Sequence, residues 1–171
     1  MRPQTSRILA GGLVAGILIA AVLGFAPGLV PSLLGDDVES NGYATTTVTI
    51  LDNDTETKLA SVDAAVADTW GKRYVGLSET EELAENRGML FVHDDVDERT
   101  YVMRNMSFAI DIVFVDADGK ITEIHSAPAP EPDEDGNDQQ YSGRAKYVLE
   151  VNYGWTDEHE IEPGDRLEFD L

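Results

Sequence analysis

The sequence predicts a mainly β domain: a compact barrel-like or curled antiparallel sheet of about eight short strands with two short helices, preceded by one transmembrane helix. Three observations predict it. Short runs rich in Val, Ile and Thr recur through residues 44–171, separated by Gly, Pro, Asn and Asp turn signals. Helical spacing is confined to two brief windows, near Trp70 and Trp155. The N-terminal run from Ile8 to Gly35 contains no charged residue.

That run comes first in the chain. Its continuous apolar part, Ile8 to Ala26, would span about 28 Å as a helix, against a hydrocarbon core of ~30 Å. Arg2 and Arg7 precede it, and Asp36, Asp37 and Glu39 follow. The positive-inside rule then places residues 1–7 in the cytoplasm, 8–34 in the membrane as a single-pass anchor, and 44–171 outside, after a linker over 35–43. A cleaved signal segment with secretion is the alternative; Pro27 directly after Gly24-Phe25-Ala26 obstructs cleavage, and the apolar run exceeds the usual length of a signal core. Gly12 and Gly16 have the small-xxx-small spacing of helix dimers, a common pattern.

Ala44 to Leu51 reads as a strand with Thr46, Val48 and Ile50 on one face; Asp52-Asn53-Asp54 turns into a second strand, Lys58 to Ala67. Asp68 is the expected cap of a short helix running through Leu77, with Trp70, Tyr74 and Leu77 at helical spacing. Arg87-Gly88 precedes a short strand, Met89 to Val92, and the acidic stretch His93 to Glu98 reads as a loop. Strands follow at Thr100 to Met103 and Ile110 to Val115, with Asp116-Ala117-Asp118-Gly119 turning into Ile121 to His125. Ala127 to Ser142, with three prolines and five acids, reads as a loop. Tyr147 to Val151 and Leu167 to Leu171 complete the set, with a helical turn near Trp155 to His159 between them. There is no internal repeat and no room for a second domain of comparable size.

The chain has 171 residues, 12 basic and 33 acidic, for a formal charge of −21. Residues 36–171 alone hold all 33 acids and ten bases, a formal −23, and only four of those bases are Lys. Phosphate backbones bind through clustered Lys and Arg, so nucleic acid is excluded as an expected partner. Charge of this density repels itself in dilute buffer and is screened at ~1 M salt, where the Debye length is ~3 Å. The surface therefore reads as that of a halophile. There is no cysteine, which removes disulfides, thiolate metal sites and cysteine nucleophiles.

A run of motifs resembles domain-of-unknown-function family 192. They are Gly88-Met89-Leu90-Phe91, Met103-Arg104-Asn105-Met106, Ile110-Asp111-Ile112-Val113-Phe114 through Gly119, Tyr147-Val148-Leu149-Glu150-Val151-Asn152 with Gly154-Trp155, and Pro163-Gly164-Asp165. Arg73 with Gly76-Leu77 is similar to the family's early Arg-Gly-Leu element, and the likeness spans about residues 46–171. Against the family pattern, Val102 replaces Trp, Arg104 replaces Lys, Ala109 replaces Pro and Glu160 replaces Gly. The resemblance implies a small, mainly β domain, often exported, with no established activity.

Candidate cleft residues are Met103, Arg104, Asn105, Asp111, Glu150 and Asn152. An Arg beside carboxylates between apolar stretches holds an anionic ligand or forms a structural pair with Asp111 or Glu150. Glu150 and Asn152 share one face of their strand, with Leu149 and Val151 on the other. His93, His125 and His159 lack metal-ligand spacing, and no metal or cofactor is expected. Asp133-Glu134-Asp135-Gly136-Asn137-Asp138 fails the EF-hand register, with Arg144 where the chelating Glu belongs. Asn53-Asp54-Thr55 is a glycosylation acceptor in an expected exposed turn, and Asn105-Met106-Ser107 fits the same pattern inside the family motif. The functional expectation is a membrane-anchored extracellular binding or accessory module for an unknown ligand or protein partner, with no assignable reaction. The alternative is an extracellular hydrolase with Asp111 or Glu150 as base and Arg104 holding negative charge.

Overall fold

The computed structural model describes residues 42–171; the expected anchor over 8–34 lies outside the described residues. No helix among the described residues is long and apolar enough to cross a membrane. The elements run β1 (Ala44–Leu51), β2 (Lys58–Ala67), α1 (Trp70–Val75), β3 (Arg87–Val102), β4 (Ile110–Val115), β5 (Ile121–Ala127), β6 (Gln140–Asn152), α2 (Trp155–Glu158) and β7 (Arg166–Glu168). Seven strands form one sheet in the order β5-β4-β6-β3-β2-β1-β7.

The sheet curls until its two edge strands meet. Ile121 N–H donates to the Asp165 carbonyl at 2.8 Å, Gly164 N–H to the Ile121 carbonyl at 2.9 Å, and Leu167 N–H to the Gly119 carbonyl at 2.8 Å. A bridge between Lys120 and Arg166 completes the junction. Joining the edges at this corner pairs N–H and C=O groups of Gly119, Ile121, Gly164, Asp165 and Leu167 that would otherwise be free.

The sheet differs from the expected antiparallel one in a single pairing. β2 and β3 run parallel, Asp63 opposite Arg87 through Ala67 opposite Phe91, because α1 and the turns after it carry the chain back to the starting end. Thr69, rather than Asp68, caps α1: its hydroxyl accepts from Lys72 N–H at 3.3 Å, while Asp68 pairs with the Lys72 ammonium at 2.9 Å. The Arg73 guanidinium then staples α1 to the sheet, donating to the Asp68 and Val92 carbonyls at 2.9 and 2.7 Å.

The two expected strands at 89–92 and 100–103 are one strand, β3, bearing a bulge at the stretch expected to be a loop. Val92 pairs with Tyr147 and Asp97 with Ala145, so five steps along β3 match two along β6. The acids of the bulge point to solvent while the ladder resumes beyond them. β6 is correspondingly long, starting at Gln140 within the expected loop.

Both faces of the sheet are covered. One core holds Met89, Phe91, Ile110, Ile112, Phe114 and Val148; the other holds Val48, Val62, Leu90, Val113, Leu149 and Val151. Neighbouring residues on β3, β4 and β6 therefore serve opposite cores, as the two-residue period demands. Gly143 sits where a Cβ would lie 2.6 Å from the Phe114 ring. Gly143→Ala is expected to cost about 1–3 kcal/mol through overpacking, read as a lowered urea midpoint. A midpoint equal to the parent's would show that Phe114 can move aside.

Candidate functional site

A cleft of about 410 Å³ opens between α1, the turn after it, β3 and the β3–β4 loop. Its walls include Leu77, Phe91, Tyr101, Met106 and Ile110. Glu150 from β6 also lines it, and is only 5% exposed. The residue reaches the cleft because it shares the sheet face of Val148, between Met89 on β3 and Ile112 on β4. No hydrogen bond or ion pair to its carboxyl exists among the described residues, and burial raises its pKa to about 8.

Two further groups of β3, His93 in the bulge and Tyr101 beyond it, line the same space. His93 Nε2 lies 3.0 Å from the Tyr101 hydroxyl, and both rings line the cleft. Burial, assisted by Arg99 and Arg73, lowers the His93 pKa to about 4, so the imidazole is neutral at pH 7. Burial and the nearby Glu150 push the Tyr101 phenol well above its usual range. The uncharged His93–Tyr101 pair is thus a fixed polar element rather than a proton donor to the ligand space.

Three arginines face this cleft, Arg73, Arg99 and Arg104. Arg99 pairs with Asp95 at 2.7 Å, while its Nε is buried without a partner. Arg104 stacks on Tyr74, 4.1 Å from the ring centroid, and donates to the Tyr74 carbonyl. Tyr74 in turn stacks on Trp70 at 5.2 Å, so the guanidinium is held at the rim by an exposed aromatic pair.

The structure separates the other expected site residues. Asp111 projects from the opposite face of the sheet to Glu150, because it neighbours Ile110 and Ile112, which serve the Glu150 side. It is completely buried: Ser126 Oγ donates at 2.9 Å, Thr156 N–H at 3.0 Å and Thr156 Oγ1 at 2.7 Å. The helix it caps explains the need. α2 begins after Gly154, which has φ 79° and no side chain to accept the first N–H groups. Asp111 supplies that acceptor from β4, so the expected Arg104–Asp111 pair does not form and Asp111 does not reach the cleft. Asp165 plays a like part, accepting from Asn53 N–H at 3.0 Å and Glu162 N–H at 2.8 Å.

Met103 is fully buried, with its N–H donating to the Gly136 carbonyl at 3.0 Å. A Cβ on Gly136 would come 2.1 Å from the Met103 carbonyl oxygen, so this close approach admits only glycine and docks the acidic loop. Asn105 is exposed, with φ 56°. Asn152 donates to the Ala84 carbonyl at 3.0 Å, outside the cleft lining. Asn53 lies in an exposed turn, as its acceptor motif requires. His125 sits beside Glu123 and the Ser142 carbonyl, and His159 beside the Trp155 carbonyl, so the three histidines do not converge. The residues missed were His93, Arg99 and Tyr101: the acidic neighbours of the first two read as loop, and only cross-strand pairing places them beside Glu150.

The DUF192 family model, described as Uncharacterized ACR, matches residues 50–169. The chain belongs to DUF192. The DUF192 domain is similar to a candidate transcription regulator from Sinorhizobium meliloti 1021, with 26% identity and a TM-score of 0.66 over 74% of this chain and 95% of that one. It is also similar to a protein of unknown function from Novosphingobium aromaticivorans DSM 12444, with 28% identity and a TM-score of 0.59 over 71% and 83% of the two chains. No curated protein matches the chain. The DUF192 pattern's glycine at position 160 also finds its reason: Glu160 has φ 55°, a backbone region that glycine adopts freely.

Proposed function

We propose that this DUF192 chain is a membrane-tethered extracellular binding module that takes a small ligand in the α1–β3 cleft. Glu150 carries the reading: a residue 5% exposed, lining a 410 Å³ cleft, whose carboxyl has no protein partner among the described residues. An unpaired buried polar group costs stability, and such groups in clefts mark ligand sites. The cleft volume falls within the ~300–1,000 Å³ of small-ligand sites. The hydrolase alternative loses Asp111, which is enclosed and bonded on the other face of the sheet.

The location rests on the sequence. The charge-free run 8–35 between Arg7 and Asp36 supports a single-pass anchor with a cytoplasmic N-terminus. The −23 of residues 36–171 supports a salt-rich exterior. This chain lacks the basic excess that a DNA-binding regulator needs to hold a phosphate backbone.

A thermal-shift screen of small molecules against the full chain, in detergent and molar salt, tests the binding reading. A ligand that raises the wild-type Tm and leaves Glu150→Gln unmoved is expected. A screen in which every stabilising compound acts equally on both proteins would contradict it. Far-UV circular dichroism of the same sample is expected to show unfolding as salt is dialysed away. A native spectrum in 10 mM buffer would remove the salt-rich setting.

A further inference from the structure

The distribution of charge around the cleft names a ligand class. Residues 36–171 carry 33 acids and only ten bases, yet three of those bases, Arg73, Arg99 and Arg104, line this one cleft. In so acidic a domain an arginine would be expected to find a carboxylate. Arg73 and Arg104 form no ion pair with any carboxylate among the described residues; they donate to backbone carbonyls. Glu98, also at the cleft, pairs with none of the three. Arg99 leaves its Nε unbonded although buried. The guanidinium groups are thus positioned by backbone and aromatic contacts, with anion-binding capacity left over. Glu150 offers the opposite chemistry, a carboxyl with no protein donor. Apolar and aromatic surface from Phe91, Tyr101 and Met106 completes the lining.

Building on the binding-module reading, we propose that the cleft takes an amphoteric small molecule of the amino-acid or short-peptide class. Its ammonium lies on Glu150, its carboxylate on Arg104 and Arg99, and an apolar side chain rests on the aromatic wall. The ammonium then answers a carboxyl with no protein partner, and the carboxylate answers Arg104, which has no protein carboxylate, beside Arg99, which pairs with Asp95 but leaves its Nε unbonded. A purely anionic ligand can use only the one O–H that protonated Glu150 offers, and a purely cationic one meets three arginines. Because burial holds Glu150 protonated at pH 7, binding converts a carboxylic acid and an ammonium into a carboxylate–ammonium pair and releases one proton to solvent.

The test is calorimetric titration of the full chain, in detergent and molar salt, with three probes: L-phenylalanine, N-acetyl-L-phenylalanine, which lacks the ammonium, and 2-phenylethylamine, which lacks the carboxylate. L-Phenylalanine is expected to bind at least about ten-fold more tightly than either analogue. At pH 7 its heat should vary with buffer ionisation enthalpy by the release of about one proton. Glu150→Gln is expected to erase the preference over the N-acetyl compound. Arg104→Gln is expected to erase the preference over the amine, and Arg104→Lys serves as a second variant that keeps the charge. Equal affinity for all three probes, or no binding of L-phenylalanine, overturns the ligand class. If another compound then stabilises wild type but not Glu150→Gln, the binding module stands and only the class falls. If no compound does so, both fall.

Discussion

Replacing Asp111 by Ala is expected to lower the stability of the domain by about 3 kcal/mol, on the order of 10 °C in Tm, while leaving cleft binding by the surviving folded protein unchanged. The size follows from what the carboxylate holds. It is completely buried and accepts three hydrogen bonds, two of them at the start of α2. Its removal strands the Thr156 N–H and hydroxyl without water to replace it, and Gly154 has no side chain to take over. Breaking a buried charged hydrogen-bond set costs more than the bonds contribute, because the remaining partners stay desolvated. Asp111→Asn is a milder variant: its Oδ1 can keep both Thr156 bonds while its amide N–H donates to the Ser126 hydroxyl, so a smaller loss is expected. Urea unfolding in molar salt measures both. A loss under about 1 kcal/mol for Asp111→Ala would mean that α2 is held by something else.

The second large effect is the pH dependence of Glu150→Gln. Glu150 has a folded pKa of about 8 against an ordinary 4.5, so the folded state binds the proton more tightly than the unfolded state. Stability from this group is therefore fully present below about 4.5 and is lost as pH rises toward 8. His93 works in the opposite sense. Its folded pKa of about 4 lies below the ordinary 6.5, so its share of stability falls as pH drops from 6.5 to 4. Between pH 6.5 and 8 the Glu150 effect stands apart from that of His93. Wild type and Glu150→Gln are expected to be of similar stability near pH 5. By pH 8 the variant should lead by on the order of 3 kcal/mol, as ~1.4 kcal/mol per pKa step implies. A stability difference that stays flat from pH 5 to 8 would show that the carboxyl is solvated.

Local pattern sufficed for much of this fold. β1 at Ala44–Leu51, β2 at Lys58–Ala67 and β4 at Ile110–Val115 follow from alternation or apolar runs bounded by Asp-rich turns, and the structure has them at the same residues. The acids at 94, 95, 97 and 98 concealed the continuity of β3, because a bulged strand facing solvent has the composition of a loop. The parallel β2–β3 pairing was out of reach for a different reason: it depends on where α1 and the turns after it return the chain. Site residues divided along similar lines. Arg104 and Glu150 stood out as charges within apolar stretches, and they do line one cleft. Asp111 stood out by the same criterion and belongs to α2, since a side-chain cap donated from another strand leaves no mark in either segment.

The unpaired, buried carboxyl of Glu150 is the centre of the functional account, and its titration can be observed directly. Full-length protein labelled with ¹³C at the glutamate δ-carbons, with Glu150→Gln to assign the resonance, would be followed from pH 3 to 10 in molar salt. A midpoint near 8 is the predicted result. A midpoint near the ordinary 4.5 would place Glu150 in water and contradict the site.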